Sequence, residues 1–296
     1  MKENNMTEVA VAGQMDLPAT LDGMSNEDIR KLAGQTYNGP KGLPQLTINH
    51  FAEDEFGVKL PRGEWQVYVE DAEGYVFAEE VQFRPFTRTF HYSVWDNEEG
   101  NYSSRSVEQT SFNGPFEDTT GTFKCGRLSA KELDNLDPNS PEAVVSKNVK
   151  CTQLVYGWVS FEGKDAEGNI YSVVDLPCTW RARGASYSAA DDVLKELTKR
   201  KANWQYVVLK LESVRKKKGG NTFFAASAVV STEIDHLGED DNQIMWDFLK
   251  TIEGRNGYIL DKHEEARGGL SGGEYVDASL EAQFDERGGD DDEVPF

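Results

Sequence analysis

The order of predicted elements after residue 150 constrains the fold more than any other feature of this chain. Residues 152–161 and 170–183 read as strands, and Asp165-Ala166-Glu167-Gly168-Asn169 between them is a hairpin signal. A helix starts at Ser188, which can act as N-cap with Asp191 three residues on; Val193, Leu194 and Leu197 supply its apolar stripe. Residues 204–214 predict a strand, Arg215 to Asn221 a basic hairpin loop, and residues 222–231 the return strand. A second helix is predicted over about 239–252, with Glu239, Asp240 and Asp241 crowding its start and Ile244, Met245, Phe248, Leu249 and Ile252 on one face.

Upstream, residues 65–69 and 75–78 predict a hairpin around Asp71-Ala72-Glu73-Gly74, residues 81–95 a long β-rich run, and residues 120–128 one more short strand. Pro85 inside the long run marks an edge or a bulge, because proline cannot donate to a ladder. From the long run onward the order fits a mainly β fold: an OB-fold-like five-stranded barrel with extra strands. It has a helix between the third and fourth strands and a C-terminal helix followed by a disordered acidic tail. In that architecture the loop joining the last two strands helps line a nucleic-acid groove, and here that loop is Arg215-Lys216-Lys217-Lys218.

Charge divides the chain further. The whole carries a formal net charge of −21, yet from Lys195 to Lys218 nine bases stand against two acids. A polyanionic partner explains such a reversal; a solvated helix face and loop is the plainer alternative. Residues 264–296 carry net −9 and include the linker-like Arg267-Gly268-Gly269-Leu270-Ser271-Gly272-Gly273, so they read as a flexible acidic tail. Residues 1–57 read as an N-terminal arm or extension, used in self-association or simply flexible, and residues 58–263 as the core. No apolar run approaches the roughly 20 residues of a membrane-spanning helix. The N-terminus leads into no apolar signal core, and Cys125, Cys151 and Cys178 lie far apart. The sequence therefore predicts a cytoplasmic protein with neither a zinc cluster nor a disulfide framework.

Single strands need cations for phosphates and aromatic faces for bases. If Pro85 does not break the alternation, Arg84, Phe86, Arg88, Phe90 and Tyr92 fall on one face of the long run, as a stacking strip. The alternative is that the rings are core and the arginines snorkel at its edges. Arg181 and Arg183 share a face opposite Trp180, which reads as core. Trp204, Tyr206 and Lys210 lie opposite the apolar Val207, Leu209 and Leu211, and either stack on bases or pack under another element. Lys199, Arg200, Lys201 and Arg215 to Lys218 complete the candidate DNA contacts.

Enzymatic signatures are missing. His50, His91, His236 and His263 are isolated, no Gly-x-Ser-x-Gly or phosphate-binding loop occurs, and no cofactor or catalytic residue is predicted. Acidic clusters such as Glu53-Asp54-Glu55 keep a magnesium-dependent nuclease or other replication enzyme open as a rival reading.

The chain ends Asp290-Asp291-Asp292-Glu293-Val294-Pro295-Phe296. An aromatic anchor behind an acid run reads as a peptide ligand. This segment resembles the tip of bacterial single-stranded DNA-binding proteins, which typically end Asp-Asp-Asp-Ile-Pro-Phe; Val294 replaces Ile and Glu293 is an extra acid. The chain is much longer than those proteins, its barrel-like region is not N-terminal, and its linker is short. It is more similar to the phage-encoded type, an OB-fold core with an acidic tail ending in an aromatic. The resemblance implies a non-enzymatic protein that coats single-stranded DNA in replication, recombination and repair, in the host cytoplasm. It implies a tail that competes with DNA for the basic groove, and a tip, Asp290 to Phe296, offered to polymerase, helicase, primase or recombination factors. A phage scaffolding protein with a solubilising tail is the other rival.

Overall fold

The computed structural model describes residues 42–54, 56–96, 101–111, 116–121, 134–138, 140, 143, 148–234 and 236–268, all in a unit that begins at Gly39. The predicted tail tip, Asp290 to Phe296, and residues 1–41 of the predicted arm lie outside them.

Among the described residues, nine strands form one mixed sheet: β1 (Gln45–Ile48), β2 (Trp65–Val69), β3 (Gly74–Ala78), β4 (Glu80–Asp96), β5 (Asn101–Arg105), β6 (Val149–Lys164), β7 (Ile170–Ala182), β8 (Val207–Lys218) and β9 (Asn221–Glu233). Two helices are described in full, α1 (Tyr187–Lys199) and α2 (Glu239–Ala266). No helix among the described residues is long and apolar enough to cross a membrane.

The neighbour order is β3-β2-β1-β7-β6-β4-β8-β9, with β5 on the far end of β4. A further pairing of β3 with β6, at Phe77 and Lys164, closes β1, β2, β3, β6 and β7 into a ring of five strands. That ring differs from the expected one. The five strands read from the sequence, β4, β6, β7, β8 and β9, are neighbours, but β7 does not pair with β9. Its open side is taken by β1, in parallel (Gln45 beside Thr179). β1 lies inside the segment read as an arm, and its four residues were too few to signal a strand by periodicity.

Strands alternate as burial demands. In β2, Trp65, Val67 and Val69 are buried; in β8, Val207, Leu209 and Leu211 are buried, as the sequence predicts. These side chains form the main core with Leu46, Phe83, Val155, Trp180 and, from α1, Ala190, Leu194 and Leu197. Trp180 sits at its centre, edge-on to Trp65 (6.1 Å) and Phe83 (5.8 Å).

Four local expectations need correction. The helix α1 begins at Tyr187, and Ser186 rather than Ser188 flanks it; the Ser186 hydroxyl accepts the Ala226 amide at 2.9 Å instead of capping the helix. Residues 204–206 form a 3-10 turn, so β8 starts at Val207. The helix α2 runs to Ala266, far past Ile252, through Gly254 and Gly257. Of the strand predicted over 120–128, Thr120 and Gly121 are turn and bend, and the rest lies outside the described residues.

Candidate nucleic-acid interface

Pro85 decides the fate of the long strand. β4 pairs with β8 only over Glu80 to Phe83, and its register against β6 shifts between Pro85 and Thr87. The missing proline N–H therefore falls where β8 has already left, at a bulge. The neighbouring turn fills the gap: Gln205 Nε2 donates to the Phe86 carbonyl at 2.8 Å.

The bulge splits the predicted strip. Phe86, 1% exposed, packs with Phe248 and Ile252 of α2, whereas Phe90 and Tyr92, both 3% exposed, pack with Val94 and Phe116. None of the three rings is open to a base. Arg84 bridges to Asp241 of α2 (2.7 Å), donates Nε to the Gln205 carbonyl (2.7 Å), and lies over Phe86 and Trp158 at 5.0 and 5.3 Å. Arg88 pairs with Asp191 of α1 at 3.3 Å and covers Phe90 and Trp204 at 4.8 and 5.2 Å. Burial lowers the Arg88 pKa, and Asp191 opposes that shift. The pattern that suggested a nucleic-acid strip is thus a pair of tethers holding α1 and α2 to the sheet. Trp204 is half-buried under Arg88, and Tyr206 is half-buried beside it.

Other candidates divide between neutralised and exposed. Lys210 sits between Glu80 (2.7 Å) and Glu212 (2.8 Å), and Glu212 first, then Glu80, raise its pKa. Arg200 pairs with Glu196 one helical turn back at 3.0 Å. Lys199 and Lys201 are exposed. So are Arg215, Lys216, Lys217 and Lys218; they are the last residues of β8 rather than the predicted loop, because the ladder with β9 runs to Lys218 and leaves only Gly219-Gly220 as the turn. Gly219 has φ +59°, which a side chain rarely adopts, so the turn specifies glycine there.

Arg181 and Arg183 project from the sheet face that carries α2. Arg181 donates to Gln45 Oε1 at 2.8 Å and Arg183 to the Tyr102 hydroxyl at 2.7 Å. Arg181 is joined there by Arg105, Arg255 and His91, which line one open pocket with it. Sequence reasoning missed these three. Arg255 fell beyond the predicted helix end, although Ile252 and Ile259, seven residues apart, continue the apolar stripe around it. His91, isolated in the sequence, is held well below its ordinary pKa by burial and then by Arg181, Arg105, Arg255 and Arg183.

Below this face a buried network fixes α2. Glu108 accepts from Thr89 Oγ1 (2.7 Å) and the Tyr156 hydroxyl (2.6 Å) and pairs with Arg255 (3.4 Å), and the Asn256 side chain brackets the Glu108 backbone with two hydrogen bonds. Among the described residues, no three His, Cys, Asp or Glu side chains group as metal ligands. No family model matches this chain, and neither a curated protein nor a solved structure matches it.

Proposed function

We propose that this chain is a non-enzymatic protein that binds single-stranded DNA without sequence preference. The observation that carries the reading is the β8–β9 hairpin. It holds four consecutive exposed cations, Arg215 to Lys218, in a chain of net charge −21. Concentrated charge that the fold leaves facing water suits a polyanion, and salt screens the distant acids beyond about 8–10 Å.

Two further features support an OB-like binding core. The five strands expected of it are neighbours in the sheet, and β1, which pairs with β7, also touches β9. Phe223 and Phe224, paired across the hairpin with Lys216 and Arg215, are only half-buried, and Arg62 lies 6.0 Å over Phe224. The likeness of Asp290 to Phe296 to the tips of single-stranded DNA-binding proteins supports a role in phage replication, recombination and repair. On this reading the tail competes with DNA and recruits replication proteins.

Tryptophan fluorescence against oligo-dT over a salt series tests the reading. Wild type quenches saturably, with a log–log salt slope of about −0.7 per phosphate contact. Lys216→Gln and Lys217→Gln each reduce that slope by about 0.7 and leave stability within about 0.5 kcal/mol. Removal of residues 288–296 tightens binding at low salt. No binding by quenching or gel shift at low salt refutes the proposal.

A further inference from the structure

Against the middle of α2, the face of β1, β4, β5 and β7 leaves a pocket with the chemistry of an anion site. Arginines reach it from three elements: Arg105 from β5, Arg181 from β7 and Arg255 from α2. Glu108 is the one carboxylate among the lining residues, and its oxygens are already held by Thr89, Tyr156 and Arg255. Among the lining residues three guanidinium forks, which match oxyanion geometry, thus stand against one carboxylate.

Two other lining side chains hold buried polar atoms without a hydrogen-bond partner. Thr179 is 2% exposed and its Oγ1 is unpaired; the Nε2 of His91 is unpaired as well. Each such atom costs about 1–3 kcal/mol if nothing enters to meet it. Two of them beside three arginines define a built site. Its volume is about 50 Å³, where one water needs roughly 10–15 Å³. A tetrahedral oxyanion fits that space, whereas a nucleobase with its sugar does not.

We propose that this pocket binds a phosphate group. Arg105 and Arg181 provide the charge, and the Thr179 hydroxyl and the Nε2–H tautomer of His91 complete the oxyanion's hydrogen bonds. The opening leaves the remainder of the ligand outside. A free phosphate monoester and the backbone of a strand share this chemistry. The proposal does not depend on the hairpin reading.

The test is calorimetric titration of the full chain, in phosphate-free buffer at low salt. The ligands are inorganic phosphate, thymidine 5′-monophosphate and oligo-dT, and the proteins are wild type, Arg181→Gln, Thr179→Val and Lys216→Gln. Thr179→Val keeps the side-chain shape and removes an unpaired hydroxyl, so its fold is retained. Arg181→Gln weakens binding about tenfold or more and Thr179→Val about threefold to tenfold, as the loss of a charged and of a neutral hydrogen bond predicts. Lys216→Gln leaves inorganic phosphate binding unchanged. If the small phosphates bind with this dependence, the ligand is a free phosphate. If only oligo-dT binds, and with this dependence, the ligand is a strand. If phosphate binds but oligo-dT does not, the site stands and the single-strand reading falls. Binding that ignores both pocket variants, or no binding of any ligand up to about 10 mM, means the pocket holds water only, and overturns the proposal.

Discussion

Replacing Arg84 by alanine decides between the two readings of β4. As a groove residue, Arg84 would cost affinity and little stability. As a tether it does the reverse. Its guanidinium lies 2.7 Å from Asp241, and the two side chains are 13% and 7% exposed. Removing one partner of so buried a pair costs about 3–5 kcal/mol, because the other charge stays behind without water. Lost contact with Phe86 and Trp158 adds about 0.5–2 kcal/mol. The pair is not an ideally aligned one. Asp241 Oδ1 and Arg84 Nη2 make no hydrogen bond, while the other Asp241 oxygen caps α2 through the Gly238 amide at 2.6 Å. The low end, about 3.5 kcal/mol in all, is therefore the working figure, equivalent to a melting-point loss of about 7–14 °C. Urea unfolding followed by tryptophan emission measures it. The double variant Arg84→Met/Asp241→Asn removes both charges and keeps the cap, so it recovers about 1–3 kcal/mol of the loss. Oligo-dT affinity of the folded Arg84→Ala protein stays within about twofold. A loss of stability below about 1 kcal/mol, accompanied by weaker DNA binding, would return Arg84 to a groove and refute the tether.

Gly157 and Gly254 separate two uses of glycine. A Cβ at Gly157 would stand 2.3 Å from the Arg84 carbonyl and 2.5 Å from Phe83 Cζ, so Gly157→Ala parts β4 from β6 and costs about 1–3 kcal/mol by urea titration. A Cβ at Gly254 meets nothing within 4 Å, and Gly254→Ala raises stability by about 0.5–1 kcal/mol. His91 gives the pH dependence: burial, with Arg105, Arg181, Arg183 and Arg255 around it, keeps its folded pKa well below 6.5. The unfolded chain then takes a proton that the folded chain refuses, so the stability present above about pH 6.5 is lost as pH falls toward the folded pKa. His91→Gln flattens that slope between about pH 7.5 and about pH 5.5, and an unchanged slope would show that His91 protonates as easily folded as unfolded.

The sequence carried the sheet better than its closure. The hairpins β2–β3 and β6–β7 were legible because their turns are chemically explicit: Asp165 accepts both the amide and the side-chain nitrogen of Asn169, at 2.8 and 2.7 Å. The parallel pairing of β1 with β7 joins residues more than 130 apart through two register pairs, and no local signal encodes it. The helix α2 was cut short because Gly254 and Gly257 read as stops by propensity. What carries it past them is tertiary: Asn256 and Arg255 grip Glu108, and Ile259 is buried at 2% exposure.

One bulge decides which candidate residues pack inside the fold and which line the pocket. Alternation places side chains on faces, and a single bulge inverts every face beyond it. Had β4 been regular, Arg84 and Arg88 would share one surface; with the shift at Pro85, one holds α2 through Asp241 and the other holds α1 through Asp191. Their charge is spent within the fold. Arg181 lines the pocket instead, and its face was legible because β7 alternates without interruption from Cys178 to Ala182, against Gly157 to Gln153 of β6. Arg105 and Arg255 were not legible, since only the assembled sheet and the far half of α2 bring them to it. In this chain Arg181, on the unbroken strand, lines the pocket, while Arg84 and Arg88, on the broken strand, became ties between layers.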